Sequence, residues 1–154
     1  MSTSHIYPGA ATLSAYITIK GCIEAIEFYK KAFGAKEVGI LYLPNGLVAH
    51  AEIEIEGSLL MMADENLDWG NKGPLTIGDN PMTFGLYVED VDKAFQKALD
   101  AGATLAMPVT DMFYGDRVGQ VMDPFGYKWM IGTHKEDVDY EEMQKRSDKM
   151  FSGK

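Results

Sequence analysis

The sequence predicts an α+β protein made of paired βαβββ modules, and three observations predict it. A strand-like stretch followed by an amphipathic helix occurs twice, about 69 residues apart. Both helices run into a Gly-Ala pair, Gly34-Ala35 and Gly102-Ala103, and then into a further strand-like stretch. Each half closes with two apolar runs around a tight turn. One such unit offers a half-sheet covered by a helix on only one face, so pairing two units buries what each leaves open. The predicted architecture is a curved eight-stranded mixed sheet around a cleft.

Module one is assigned to residues 13–63. LSAYITIK (13–20) alternates and is rich in Tyr, Ile and Thr, which fits a strand. In CIEAIEFYKKAF, the residues Cys22, Ala25, Ile26, Tyr29 and Phe33 recur at helical spacing. Glu24, Glu27, Lys30 and Lys31 take the other face, and Gly34 stands where a helix stop belongs. LVAHAEIEIE, a turn at Gly57-Ser58 and LLMMA complete the module. Residues 64–81, DENLDWGNKGPLTIGDNP, are thick with Asp, Asn, Gly and Pro. A structureless loop this long is uncommon in a compact domain unless it is a linker, lid or binding loop. Trp69 within it either caps the cleft or pins the loop to the body. Module two (82–134) opens with MTFGLYV, and Asp90 is a plausible N-cap. Val91, Ala94, Phe95, Ala98 and Leu99 form an apolar stripe ended by Gly102. RVGQVMD, a turn at Pro124-Phe125-Gly126 and YKWMIG follow. The charged stretch 135–154 reads as a solvated terminal helix or tail, with helical character over 138–150 and a dimer contact as the alternative. The chain 1–154 is expected to be a single domain.

Composition narrows the function. A chain of 154 residues suits one domain with a real core. A net charge of −9 argues against a nucleic-acid partner, which needs a clustered basic surface. The acidic balance suits a cationic ligand, or simply keeps the protein soluble. No stretch approaches the roughly 18 to 20 apolar residues of a membrane span, and MSTSHIYPGA lacks the marks of a signal peptide. A lone cysteine, Cys22, cannot form an internal disulfide. A reduced, cytoplasmic protein with no membrane partner is expected.

AIEFYKKAFGA (25–35), HAEIEIEG (50–57), LYVEDVDKAF (86–95), YGDR (114–117) and DPFGYKW (123–129) stand in a characteristic order and spacing. With them the chain resembles the PhnB-like branch of the vicinal-oxygen-chelate superfamily (glyoxalase/bleomycin-resistance/dioxygenase) from about residue 13 to 134. The resemblance implies paired βαβββ units, a barrel-like cleft and frequent homodimers in which modules can pair across subunits. It implies no single reaction, because members include metal-dependent lyases, ring-cleaving dioxygenases, epoxide-opening resistance enzymes and drug-binding proteins.

Metal-dependent members hold a divalent ion with His, Glu or Gln, one ligand from each of four strands. Matching the strand-helix frames places those positions at Ser14, Met61, Thr83 and Met130. Hydroxyls are weak neutral donors and thioethers suit softer ions, whereas a catalytic zinc needs at least three protein ligands. The three histidines, His5, His50 and His134, do not reproduce the four-strand pattern. No metal and no other cofactor is expected.

Alternation suggests what fills the cleft instead. Leu47, Ala49, Ala51, Ile53 and Ile55 form an apolar row that should back onto a helix. Val48, His50, Glu52, Glu54 and Glu56 form the other, so His50 and Glu52 should face the cleft. Ser14, Tyr16 and Thr18 share the ligand face, as do Thr83, Gly85 and Tyr87, and Lys128 and Met130. Arg117 is placed at the rim. The expected substrate-binding set is Tyr16, His50, Met61, Thr83, Arg117 and Met130, with His50 and Glu52 as candidates for acid–base work. Plainer roles stand beside these. His50 and Glu52 fit a solvated strand face, Tyr16 and the methionines fit core filling, and Arg117 fits an ion pair with Asp116, Asp123 or Glu54. The chain has no Gly-rich phosphate loop, Ser or Cys elbow, or nucleotide motif. The function expected is metal-free binding of a small organic molecule by a homodimer. The alternatives are a lyase, isomerase or dioxygenase-type enzyme using His50 and Glu52 or a relocated metal site, and a regulatory dimer with a vestigial cleft.

Overall fold

The computed structural model describes residues 4–153. The first three residues of the N-terminal stretch and the last of the charged tail lie outside the described residues. Module one comprises β1 (Tyr16–Ile19), α1 (Cys22–Phe33), β2 (Lys36–Tyr42), β3 (Val48–Ile55) and β4 (Ser58–Asp64). Module two comprises β5 (Thr83–Tyr87), α3 (Val91–Ala101), β6 (Thr104–Asp111), β7 (Asp116–Met122) and β8 (Lys128–His134). A 3-10 turn (Leu67–Trp69) and the short helix α2 (Pro74–Ile77) join the modules, and α4 (Tyr140–Phe151) ends the chain. The connection 64–81 is therefore partly helical rather than structureless.

The repeat is exact in topology. The sheets run β1-β4-β3-β2 and β5-β8-β7-β6, with β1 parallel to β4, β5 parallel to β8 and the remaining neighbours antiparallel. They are two separate four-stranded sheets, neither closed, and not the single eight-stranded sheet expected. In both modules the end of the fourth strand caps the helix that follows the first. Asp64 accepts from the Cys22 amide at 2.8 Å, and the Thr133 hydroxyl accepts from the Val91 amide at 2.9 Å.

A helical layer joins the two sheets. Phe33 of α1 lies 4.4 Å, centroid to centroid, from Trp129 of β8, and Phe84 of β5 stacks on that indole at 4.5 Å. Ile17, Ile19, Ile53 and Met62 of one sheet share a buried cluster with Val121 and Ile131 of the other. Asp123 is buried at the junction. It accepts from the Tyr29 hydroxyl (2.6 Å), the Trp129 indole (2.9 Å) and the amides of Phe125 and Tyr127. Burial pushes its carboxyl above the usual range although these donors pull it down. Each sheet thus turns one face onto the shared core and leaves the other open. On β1, Ile17 and Ile19 are buried while Tyr16 and Thr18 face outward.

Several local details differ from the sequence pattern. β1 begins at Tyr16, so Ser14 precedes it and gives its hydroxyl to the Ala11 carbonyl. The β3–β4 hairpin turns on Glu56-Gly57, at φ 47° and 78°, and Ile55 pairs with Ser58. Two positive φ angles match the twist of a two-residue hairpin. Leu41 pairs with His50 and Tyr42 with Val48, leaving Ala49 as an extra residue in β3. That bulge switches faces, so Val48 is buried in the core rather than turned to the cleft. Among the described residues no helix is long and apolar enough to cross a membrane.

Candidate functional site

On the open face of module one, Tyr16 and Glu52 both lie opposite Met61, so three adjacent strands present them in one row. His50 follows two residues before Glu52 on the same face. The Tyr16 hydroxyl lies 2.8 Å from His50 Nδ1, and His50 Nε2 lies 2.8 Å from Glu52 Oε1. The Glu52 side chain is only 7% exposed, so this imidazole is the partner that makes its burial tolerable. With the Tyr16 hydroxyl donating to Nδ1, the His50 Nε2–H donates to Glu52. Burial, followed by the charges of Cys22 and Glu52, raises the Tyr16 phenol above its ordinary value. Tyr16 is therefore a proton donor at the surface end of a Tyr–His–Glu chain, an arrangement able to pass a proton.

Beside this chain lies a hollow of about 310 Å³. Tyr16, Thr18 and Ala63 form its floor, and Trp69, Asn66 and Asn71 one wall. Asn66 and Asn71 exchange backbone hydrogen bonds at 3.0 Å, which closes the loop that carries Trp69. Glu65 holds the next segment through the Gly73 amide and the Thr76 hydroxyl. Trp69 is 61% exposed, so it walls the hollow rather than anchoring in the core. Asp64 also lines the hollow, but its two oxygens hold the Cys22 and Val48 amides.

Module two has its own open face. Met130 lies opposite Gly85 on one side and Gln120 on the other, and Thr83 lies opposite Lys128. At the far end the Tyr87 hydroxyl donates to Asp116 at 2.6 Å. His134 Nδ1 lies 2.7 Å from the other Asp116 oxygen, and Nε2 2.8 Å from Asp137. Asp137 first, then Asp116, raise the imidazole above its ordinary value. This cluster was missed in the sequence. His134 is the last residue of β8, and the alternation Met130, Gly132, His134 carries the signal that places it on the face.

The expected residues therefore divide. Tyr16, His50, Glu52 and Met61 come together, while Thr83 and Met130 lie on the other sheet. Ser14 precedes β1 and Met61 lies on the first sheet, while Thr83 and Met130 lie on the second. Arg117 is not at the rim. It alternates with Asp116 and Val118, so it faces α3, where it forks Asp92 at 2.9 Å and reaches Asp111 at 3.1 Å.

Residues 14–131 match the Glyoxalase/Bleomycin resistance protein/Dioxygenase superfamily. The chain belongs to this superfamily. An uncharacterised protein of Mycobacterium bovis is 40% identical over 135 residues, which is 86% of this chain and 89% of that protein. The crystal structure of an Arabidopsis thaliana gene product is similar at 30% identity and a TM-score of 0.64, covering 79% of this chain and 97% of that one. A PhnB protein of Bacillus cereus shares the fold at 20% identity and a TM-score of 0.61, over 80% of this chain and 99% of its own.

The superfamily's metal centre draws on the first and fourth strands of each module, and those faces do not fit an ion here. β1 offers Tyr16 and Thr18, β4 offers Leu59, Met61 and Ala63, and β5 offers Thr83, Gly85 and Tyr87. β8 offers Lys128, Met130, Gly132 and His134, and both nitrogens of that histidine are engaged by Asp116 and Asp137. Among the described residues no group of three or more His, Cys, Asp or Glu is placed to hold a metal. Asp64 at the end of β4 is likewise engaged, by the Cys22 and Val48 amides.

Proposed function

We propose that this chain binds a small organic molecule on the open face of module one, between Tyr16 and Trp69, without the superfamily's metal ion. The hollow of about 310 Å³ beside the Tyr16–His50–Glu52 chain carries this reading. An aromatic wall with a few convergent polar groups is the usual form of a small-molecule site. The net charge of −9 favours a ligand bearing positive charge. The reading includes a homodimer. Tyr16 and Tyr87, on the two open faces, are 52% and 56% exposed, and those faces look away from the shared core. A two-fold axis would set module one of each copy against module two of the other, bringing Met130 and Thr83 to the hollow. Cys22, buried with its thiol pushed up to about 12, is inert and fits the reducing cytoplasm.

A thermal-shift screen of aromatic and cationic compounds tests the binding reading. A true ligand at 100 times its dissociation constant adds about 2.7 kcal/mol, and that gain is expected to vanish in Trp69→Ala and Tyr16→Ala. A screen with no stabilising compound, or a gain both variants keep, refutes it. One equivalent of Zn, Ni, Fe or Mn in the purified protein, lost on His50→Ala, would overturn the metal-free part.

The hydrogen-bond chain favours a second reading, an acid–base lyase or isomerase. Tyr16 would pass its proton to His50 Nδ1 as it takes one from the substrate, the buried Glu52 would hold the imidazolium so formed, and the reverse transfers would return the proton to the rearranged substrate. A His50→Ala protein that retains every detected activity removes this reading.

A further inference from the structure

We propose that module two carries a second site, a cage for a substituted ammonium ion, beneath α4. The inference stands apart from the hollow at Trp69, since a single chain supplies all its walls. The observation is a cavity of about 420 Å³ at the far end of the open face. Tyr87, Phe113, Tyr114, Asp116 and His134 line it, and Tyr140 (89% exposed) and Met143 of α4 stand at its open side. Among these rings Phe113 and Tyr114 pack together edge to face, at 5.3 Å.

Ring faces carry negative electrostatic potential and hold cations that are poorly hydrated, quaternary ammonium above all. The charges at the base agree with that choice. Asp116 is 6% exposed and accepts from Tyr87 and His134, so it is fixed rather than free to turn to water. His134 is the one basic lining residue, and both its nitrogens are met by carboxylates, Asp116 and Asp137. Even with this imidazole protonated, two carboxylates leave one negative charge in excess. Arg146 on α4 is spent on Glu136 and Glu142, and Lys145 on Glu141.

The loop side of the cage is held in place. The Gly115 carbonyl accepts from the Lys135 and Glu136 amides, at 2.9 and 3.0 Å, which ties the loop bearing Phe113 and Tyr114 to the segment after β8. Arg146 reaches the Phe113 carbonyl at 3.3 Å, and Phe151 meets the Phe113 ring edge-on at 6.4 Å. Walls held this way lose little freedom when a ligand enters.

Amide chemical-shift titration of the full chain decides the matter, with choline and benzyltrimethylammonium as probes and 3,3-dimethylbutan-1-ol as the uncharged match for choline. Both cations are expected to shift the amides of Tyr87, Tyr114, Gly115 and His134, and choline to bind at least about tenfold more tightly than the alcohol. Tyr114→Leu is expected to weaken choline at least about fivefold while Tyr114→Phe, which keeps the ring face, stays within about twofold. The loss is read at the amides of Tyr87, Gly115 and His134, so cation binding at the hollow near Trp69 does not enter it. The proposal is overturned if neither cation shifts these amides, if choline and the alcohol bind alike, or if Tyr114→Leu binds as the parent does.

Discussion

Asp123 receives four hydrogen bonds, and two of their donors, the Tyr29 hydroxyl and the Trp129 indole, belong to different modules. Tyr29 is fully buried and Trp129 is 3% exposed, so neither donor can turn to water if the acceptor is removed. Each buried donor left unsatisfied costs about 1–3 kcal/mol. Asp123→Ala is therefore expected to lose at least ~3 kcal/mol in urea unfolding. A loss below ~1 kcal/mol would show that the junction does not depend on this carboxylate. At this scale alternation put Tyr16 with Thr18 and His50 with Glu52 on one face, whereas Met61 came from matching the strand-helix frames of the resembled family. The sequence pattern misplaced Arg117, because which charge a side chain meets depends on α3 lying over β7, and no strand pattern contains Asp92.

At the scale of elements, the strand and helix assignments followed from periodicity, whereas faces changed where pairing is irregular. The extra residue Ala49 in β3 turns Val48 inward, and that depends on how β2 lies against β3. The C-terminal segment makes a prediction of its own. His134 ties the end of β8 to Asp116 and to Asp137, just before α4. Its pKa is raised by the Asp137 and Asp116 carboxylates, so its contribution to holding this segment is fully present below its ordinary value near 6.5. That contribution is lost as pH rises through the higher folded value. Protection of the Lys135 and Glu136 amides, corrected for intrinsic exchange, is expected to fall across that range. In His134→Gln it should be low and flat. A parent protein with flat protection, or a variant with the same fall, would remove His134 as the latch.

For the whole molecule, the deciding feature is that both helix-covered faces meet in one core while both open faces look outward. The homodimer proposed above makes a specific prediction. Tyr16→Ala damages module one of a cleft and Thr83→Arg damages module two, so each variant alone should not bind a ligand found by the thermal-shift screen. Mixed and allowed to exchange, half the dimers combine the two, and each of those holds one intact cleft. Binding in the mixture should recover to about a quarter of the parent's sites. No recovery, once exchange is shown by mass, would mean that clefts do not form between copies.

Sequence alone determined the duplicated βαβββ order and the helix boundaries near Gly34 and Gly102. Those are local properties, set by periodicity and residue chemistry, and need no neighbour to be read. Only the tertiary structure decided that the strands form two open sheets, that Trp69 walls a hollow, and that Tyr87, Asp116 and His134 meet. Each of these depends on contacts between segments far apart in the chain. The energy that favours them is the burial of Phe33, Phe84 and Trp129 against one another, which no single segment encodes.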